Sequence, residues 1–291
     1  MDVAILGTGH GWHVAELERA LRARGHRPHA CRVSALVARI GQRPRLAAGG
    51  VPLDDVDAVL QRIIPRGSLE QIILRIDALH WLERLGIAVM NPATAIERSV
   101  DKFYTSALLE AAGVPTPRTV VAEREEDALA AFAALRDVIV KPLFGAGGHG
   151  MVRVSDEEIA HRVFGALERE RAVYYLQEAV PHEGRDVRAF VVADRVVAAA
   201  WRCAEGWRTN VAQGARVERA ELAPAWQELA IRASRAVSAE YAGVDLLPLR
   251  DGRVLVLEVN SIPGWQGLQS VVEVDVAGAI VEHLETLARR R

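Results

Sequence analysis

Apolar positions along this chain come in short blocks whose period switches repeatedly between extended and helical spacing. Residues 2–6 form an apolar run that predicts a strand. The glycine turn GTGHGWH follows, and Val14, Leu17 and Leu21 then recur at helical spacing up to Gly25. Strand, glycine turn and helix predict a Rossmann-like beginning in which the helix N-terminus can face an anion. Residues 57–60 read as a buried strand and 62–67 as a loop. Ser68, three residues before Gln71, has the spacing of a capping box and opens a helix carrying Ile72, Ile73, Ile76 and Leu79, which Gly86 closes. IAVMN is the next strand. Thr94 and Glu97 repeat the capping-box spacing and predict one helix through Leu109 to Gly113. The first ninety-odd residues therefore predict a small α/β domain with parallel strands.

The two prolines of VPTPRTVV favour an extended crossing into a new domain. A helix over 125–136 precedes VIVKPLFGAGGHGMVRV, which predicts strands at 138–140 and 151–154 around a loop holding Gly145, Gly147, Gly148 and Gly150. That much glycine lets backbone approach an anion closely. No Lys-Ser or Lys-Thr follows, so the loop is not a Walker A loop. Lys141 instead precedes it, at the end of an apolar strand, where its ammonium either finds an anion or snorkels to solvent. Ser155 and Glu158 predict the cap of the next helix, and AVYYLQEAV the strand after it. RDVRAFVVADRVVAAAWR reads as a hairpin with Asp186 and Arg188 on one face and Arg202 at the far end of the partner strand. These arginines either clamp anions or form a solvated rim. WRTN adds Arg208 and Asn210. Helices are expected from Pro224 to about Tyr241 and over 275–290.

Between those two helices, GVDLLPLRDGRVLVLEVNSIPG places Asp251 and Gly252 between β-rich runs, the signal for a two-residue hairpin turn. With Arg250 opposite Arg253, counting back sets Asp245 across from Glu258, their Cβ atoms roughly 4.5 to 5.5 Å apart. Asn260 falls on the face of Glu258. Two like charges there repel and need an offset. An oxygen-only set on a rigid strand pair suits Mg²⁺. The alternative is that Glu258 pairs with a basic residue elsewhere while Asp245 ends its strand in water, with Pro248 permitting a bulge that alters the register.

Composition narrows the field. The chain has 291 residues, half of them hydrophobic, and a net charge of −2, so no electrostatic footprint for nucleic acid or an anionic membrane is present. Cys31 and Cys203 are far apart and lack metal-ligand spacing, which suits a reducing cytoplasm. No apolar run reaches the length of a membrane span, and the N-terminus lacks a basic signal-peptide start.

Lys102, VIVKP with GAGGHG behind it, LQEAV, RDVRAFVV, WRTN, GVDLL and LEVNSIPG occur in an order that resembles the ATP-grasp ligases, specifically the RimK-like amino acid ligases, over residues from about 95 to 285. The resemblance implies an α/β (α+β) ATP-grasp fold. Its parts are an N-terminal Rossmann-like domain (1–95), a small central domain with the glycine lid (96–172) and a C-terminal domain with the metal site (173–291). It implies that Lys102 and Lys141 bind ATP phosphates and that Gly145, Gly147, Gly148 and Gly150 cover them. Gln177, Glu178 and Val180 correspond to the adenine hinge, and Asp186 to a nucleotide-contacting aspartate. Arg188 and Arg202, together with Lys141, correspond to catalytic groups steadying phosphate and acyl oxygens, and Arg208 with Asn210 to the substrate-side RxN. Asp245, Glu258 and Asn260 correspond to ligands of Mg²⁺, for which Mn²⁺ can substitute.

The chemistry so implied is ATP-dependent carboxylate–amine ligation in a cytoplasmic homo-oligomer, dimer or tetramer. PRGSLEQIILRIDALHWLE and ERSVDKFYTSALL are similar to ligases that add L-glutamate to one-carbon carrier cofactors of the tetrahydromethanopterin kind. Glutamylation of a protein tail or another peptide-like product is the alternative within this chemistry, and a non-catalytic ATP-binding regulatory module the alternative outside it. His10, Trp12, Arg66 and Trp265 are the candidate acceptor contacts. A nicotinamide oxidoreductase is disfavoured, because no acidic residue follows the second strand near Cys31 to Leu36 to bind a ribose.

Overall fold

The computed structural model describes residues 1–145, 147–210 and 214–290. It opens with β1 (Asp2–Gly7), α1 (Trp12–Ala23) and β2 (Arg27–Arg32). The short antiparallel strands β3 (Leu36–Ala38), β4 (Leu46–Ala48) and β5 (Val51–Pro52) follow, then β6 (Ala58–Gln61), α2 (Leu69–Arg84) and β7 (Ala88–Met90). The main strands form a parallel sheet in the order β2-β1-β6-β7, as the strand–helix alternation predicts. Alternate residues of β1 serve opposite layers: Val3 and Ile5 pack with Leu17 and Leu21 of α1, whereas Ala4 and Leu6 pack with Ile76, Leu79 and Leu82 of α2. The capping box at Ser68 and Gln71 forms, and Gly86 ends the helix with φ 86°. Of the apolar residues this helix carries, Ile76 and Leu79 are buried, whereas Ile72 and Ile73 are exposed.

The single helix expected after β7 is two. In α3 (Ala93–Val100), which starts after Pro92, Thr94 makes no cap; Asp101 then takes an extended backbone and its carboxylate accepts from the Tyr104 amide (3.0 Å) to start α4 (Lys102–Ala111). A side chain that can cap outcompetes helix continuation at that point.

The central unit comprises β8 (Thr119–Ala122), α5 (Glu125–Leu135), β9 (Val138–Lys141), β10 (Val152–Val154), α6 (Glu157–Arg169) and β11 (Tyr174–Glu178). Its antiparallel sheet runs β10-β9-β11-β8 over a core of Phe132, Phe164 and Tyr174 in edge-to-face contact. Since β11 is bonded to both β8 and β9, a division at residue 172 would cut this sheet; the sheets part after Glu178. The cap of α6 is Asp156, which accepts from the Ile159 amide, one residue later than the sequence spacing suggests.

The C-terminal unit holds β12 (Arg185–Val192), β13 (Arg195–Cys203), β14 (Arg216–Arg219), α7 (Pro224–Ala236), β15 (Tyr241–Pro248), β16 (Val254–Asn260), α8 (Gln266–Gln269) and α9 (Val276–Arg289). The antiparallel order is β14-β13-β12-β15-β16. Here α7 stops at Ala236 and Tyr241 already begins β15, earlier than expected. Helix α9 returns to the first sheet, where Ile280, Val281 and Leu284 join the core of β1 and α1.

Asp245 does face Glu258, but by a different route from the simple count. The Gly252 amide donates to the Leu249 carbonyl, the Leu249 amide to the Arg253 carbonyl, and Gly252 has φ 85°: the loop has three residues. That shifts the pairing to Leu246 with Val256, and an extra residue, Leu257, then restores Asp245 opposite Glu258 and Gly243 opposite Asn260. The bulge turns Leu257 and Glu258 both toward the cleft, while Val256 and Val259 both stay in the core.

Because Asp156 and not Ser155 caps α6, Asp156→Ala should cost about 1 kcal/mol. Ser155→Ala should change little. Urea midpoints at constant m-value test this pair.

Candidate active site

Between the central and C-terminal sheets lies a cleft of about 550 Å³, within the usual size range of small-molecule sites. Lys141, Gln177, Glu178 and Val180 line one wall, Asp186, Arg202, Asp245 and Glu258 the other, and Arg208 and Asn210 the rim. Each sits where its strand brings it: Lys141 ends β9, Gln177 and Glu178 end β11, and the three carboxylates lie on β12, β15 and β16.

The far wall holds a buried ionic network. Asp245 receives two bonds from Arg188, one of them at 3.0 Å, and a third from Arg202 at 2.8 Å. Arg202 also grips Asp186 through Nε and Nη2, and Thr209 donates to the same carboxylate (2.6 Å). Burial alone would raise the Asp245 pKa, but Arg188 and Arg202 outweigh it and hold the carboxyl below its ordinary value. Asp186 shares only one arginine, so burial wins and its pKa is raised. Burial likewise opposes the charge on Arg202, yet the two aspartates keep it firmly protonated. The repulsion expected between Asp245 and Glu258 is thus offset by arginines on Asp245. Glu258 makes no hydrogen bond or ion pair among the described residues and turns into the cleft. Of the two arginines, Arg202 lines the cleft, whereas Arg188 runs past Gly243 beside Pro263; a Cβ on Gly243 would stand 2.6 Å from the Arg188 guanidinium. Gly243 is glycine for space.

On the near wall, Lys141 donates to Gln177 Oε1, and the Gln177 amide donates in turn to Thr119 and Tyr175. Burial pushes the Lys141 pKa down to about 8, reinforced by Lys102 and opposed by Glu258 and Asp245. Burial also lowers that of Lys102, whose ammonium donates to the Gly145 carbonyl (2.7 Å) and so holds the base of the glycine loop. Arg208 donates to the Met151 carbonyl and stacks on Trp207, and Asn210 packs against Gly148. Gly147 and Gly150 take positive φ, which suits glycine. The Glu178 side chain turns away to a bidentate pair with Arg118, leaving its backbone to the cleft.

Among the described residues no group of three or more His, Cys, Asp or Glu forms a metal cage. Asp245, Glu258 and Asn260 nonetheless suit a divalent ion that shares its coordination with phosphate oxygens and water. The Asn260 Nδ2 is buried without a hydrogen-bond partner, so the amide is not committed elsewhere in the fold.

Family models match the chain almost end to end: a RimK PreATP-grasp domain over residues 1–96 and a RimK-like ATP-grasp domain over 99–284. The chain belongs to the RimK-like ATP-grasp family. It is an ATP-grasp ligase, and the family binds ATP and a divalent metal. Among its relatives are two proteins named tetrahydromethanopterin:alpha-L-glutamate ligase. That of Methanocaldococcus jannaschii is 39% identical over 239 residues, 80% of each chain, and that of Methanococcus maripaludis 32% identical over 294 residues, 99% of each. A solved ATP-grasp ligase, PsnB with a minimal precursor, Mg and ADP, superposes with a TM-score of 0.76 over 99% of this chain and 98% of its own at 24% identity, and so shares the fold.

Sequence reasoning missed Thr209, Gln177 as the partner of Lys141, and His182, which lines the cleft with a buried, unpartnered Nδ1. Polar residues at strand ends were the available signal. One candidate acceptor contact needs correction: Trp265 is 1% exposed and packs edge-on against Trp12 and His13, so it belongs to the core between the first and last sheets. His10 and Arg66 are exposed.

The Lys141 shift sets a pH dependence. An unfolded lysine keeps its proton to about pH 10.4. The cost of burying this charge is therefore present below pH 8 and is relieved as the pH rises from 8 to that value. A phosphate beside Lys141 raises its pKa again. ATP binding should thus take up protons near pH 8 to 9, and affinity should fall as the pH rises through 8. Calorimetry in two buffers of different ionisation enthalpy reads both.

Proposed function

We propose that this ligase adds L-glutamate to a one-carbon carrier cofactor of the tetrahydromethanopterin kind, or to its precursor, by way of an acyl phosphate. The observation that carries the chemistry is the desolvated Lys141 facing Glu258 across one cleft, with the desolvated Lys102 close by at the base of the glycine loop. The relatives named tetrahydromethanopterin:alpha-L-glutamate ligase, one of them matched over 99% of both chains, support glutamate and the cofactor acceptor.

In this reading Lys102 and Lys141 hold the ATP phosphates, the backbone of residues 177–180 receives the adenine, and Asp186 steadies the nucleotide side through Arg202. Gly145, Gly147, Gly148 and Gly150 close over the triphosphate and exclude water. A divalent ion, Mg²⁺ or Mn²⁺, held by Asp245, Glu258 and Asn260, supplies neutralisation of phosphate charge when bound. The acceptor carboxylate attacks the γ-phosphorus, the bond to the β,γ-bridging oxygen breaks, and ADP leaves. The glutamate amine then attacks the acyl carbon, phosphate departs, and the amine proton passes to solvent. In this reading Arg188, on the Gly243 and Pro263 side of Asp245, steadies the acyl oxyanion, and Arg202, tied to two aspartates, keeps the wall in place. Arg208 and Asn210 stand at the lid edge, toward the substrates.

We take the domains as the first sheet with α1 and α2 (1–95), the central unit (from 96) and the C-terminal unit (to 291), with the last division moved from 172 to the end of β11. The exposed apolar face of α2, with Leu69, Ile73, Leu74 and Trp81, supports a homo-oligomer. The free Cys31 and Cys203 and the lack, among the described residues, of any helix long and apolar enough to cross a membrane accord with a cytoplasmic enzyme.

Incubation with Mg²⁺-ATP, L-glutamate and a panel of reduced pterin and furan cofactor precursors should release ADP and give one acceptor a glutamate-sized mass gain. ADP release with a protein tail alone would move the assignment to that alternative. ATP binding without turnover on any acceptor would leave the regulatory module. Glu258→Gln should lower turnover by about 10²-fold or more, with an unchanged melting transition; near-normal turnover would remove Glu258 from the metal set.

A further inference from the structure

The open end of the β15–β16 hairpin is held by residues of the other end of the molecule. Asn91, directly after β7 and fully buried, uses its entire hydrogen-bonding capacity there. Its Nδ2 donates to the carbonyls of Tyr241 (2.7 Å) and Ser261, and its Oδ1 accepts from the amides of Glu240 (2.6 Å) and Tyr241 (3.1 Å). Arg62, directly after β6 and 8% exposed, donates to the Tyr241 hydroxyl and to the Pro263 carbonyl, both at 3.0 Å, and lies 4.6 Å over the Trp265 ring. It makes no ion pair among the described residues, so this buried cation meets only neutral oxygens and a ring face, and its Nε is buried without a hydrogen-bond partner.

The pattern along the loop after Asn260 is regular. Ser261 is held by Asn91 and by Ser99, Pro263 by Arg62, and the Trp265 amide donates to His13 Nε2 (3.0 Å). Every second residue of the segment leaving Asn260 is thus fastened to the N-terminal sheet or its helices. On the partner strand, Tyr241 receives both Asn91 and Arg62 two residues before Gly243, which faces Asn260. The other end of the hairpin, at Asp251 and Gly252, is exposed and fixes nothing about this spacing.

We propose that Asn91 and Arg62 are positioning residues for the divalent metal. They act from the N-terminal sheet on both strands of the hairpin and set the separation of Asn260 and Glu258 from Asp245. The inference rests on the metal set given under the proposed function. Outer groups that orient ligands in this way are worth about 10- to 100-fold in metal affinity. It follows that the N-terminal domain, which contributes no ligand to that set, tunes the metal's grip.

The test uses the full chain, with Mn²⁺ binding in the presence of ADP read from loss of the free-ion EPR signal, and ADP binding without metal read by calorimetry. Asn91→Asp keeps the shape but turns an oxygen toward two carbonyls, and Arg62→Met keeps the bulk without the donors. Each should weaken Mn²⁺ binding by about tenfold or more while metal-free ADP affinity stays near wild type. Tyr241→Phe, which removes only the hydroxyl that accepts from Arg62, should show a smaller loss in the same direction, and it decides the matter if the first two variants do not fold. Unchanged Mn²⁺ binding in the folded variants, or a parallel loss of ADP binding, would overturn the proposal. A wild-type protein that binds ADP but no Mn²⁺ would instead overturn the metal set itself.

Discussion

The ionic chain from Arg188 through Asp245 and Arg202 to Asp186 is the constraint on which the site depends. It crosses three neighbouring strands at one level, from β12 to β15 and from β13 back to β12, and is almost wholly buried. Two arginines meet two carboxylates, so the set carries no net charge, and every bond is charge-assisted. Removing any one member would leave an uncompensated buried charge, typically a loss of about 3–5 kcal/mol. The network therefore forces β12, β13 and β15 into one register with their polar ends level, while Val187, Ala189 and Val244 on the opposite face fill the core against α7.

What that register leaves over is as important. Asp245 is held by two arginines, and the bulge at Leu257 turns Glu258 outward with no ion-pair partner among the described residues. Across the cleft the second sheet presents Lys141, with Lys102 beside it, both short of solvent. Glu258 and Lys141, neither in an ion pair among the described residues, face each other over a space of about 550 Å³. The electrostatic demand is met by a ligand that brings anionic oxygens to the lysines and a cation to Glu258, which is the composition of a metal–nucleotide complex.

The N-terminal domain enters this arrangement through its strand ends. Gln61 and Arg62 end and follow β6, Asn91 follows β7, and both sites face the hairpin of the last sheet. Burial lowers the His13 pKa to about 4, with Arg62 adding to the effect, so His13 is neutral at ordinary pH and its Nε2 is free to accept from the Trp265 amide. Helix α9 then crosses back onto β1 and α1, with Arg24 and His26 both bonded to Glu285 at its far end. The first and last parts of the chain form one core, and the central sheet is the part least enclosed by it.

The sequence by itself determined most of the longer strands and helices, though not β3 to β5, β14 or the break at Asp101, together with the parallel first sheet, the glycine loop after Lys141 and the pairing of Asp245 with Glu258. All of these rest on local periodicity, turn residues and strand parity. Helix starts were legible where a cap had no rival, at Ser68, and not where a neighbouring aspartate could compete, at Asp101 and Asp156. The Asp245–Glu258 pairing was reached although the turn has three residues and not two, since a bulge later in the strand restores the count; parity along a strand cannot register two compensating shifts. Only the tertiary structure decided which carboxylate is paired and which is free, that Gln177 holds Lys141, that Trp265 is buried, and that Asn91 and Arg62 fasten the metal hairpin from some 150 to 200 residues away in sequence. Such contacts depend on how sheets stack, and one chain's local pattern carries no record of which faces will meet.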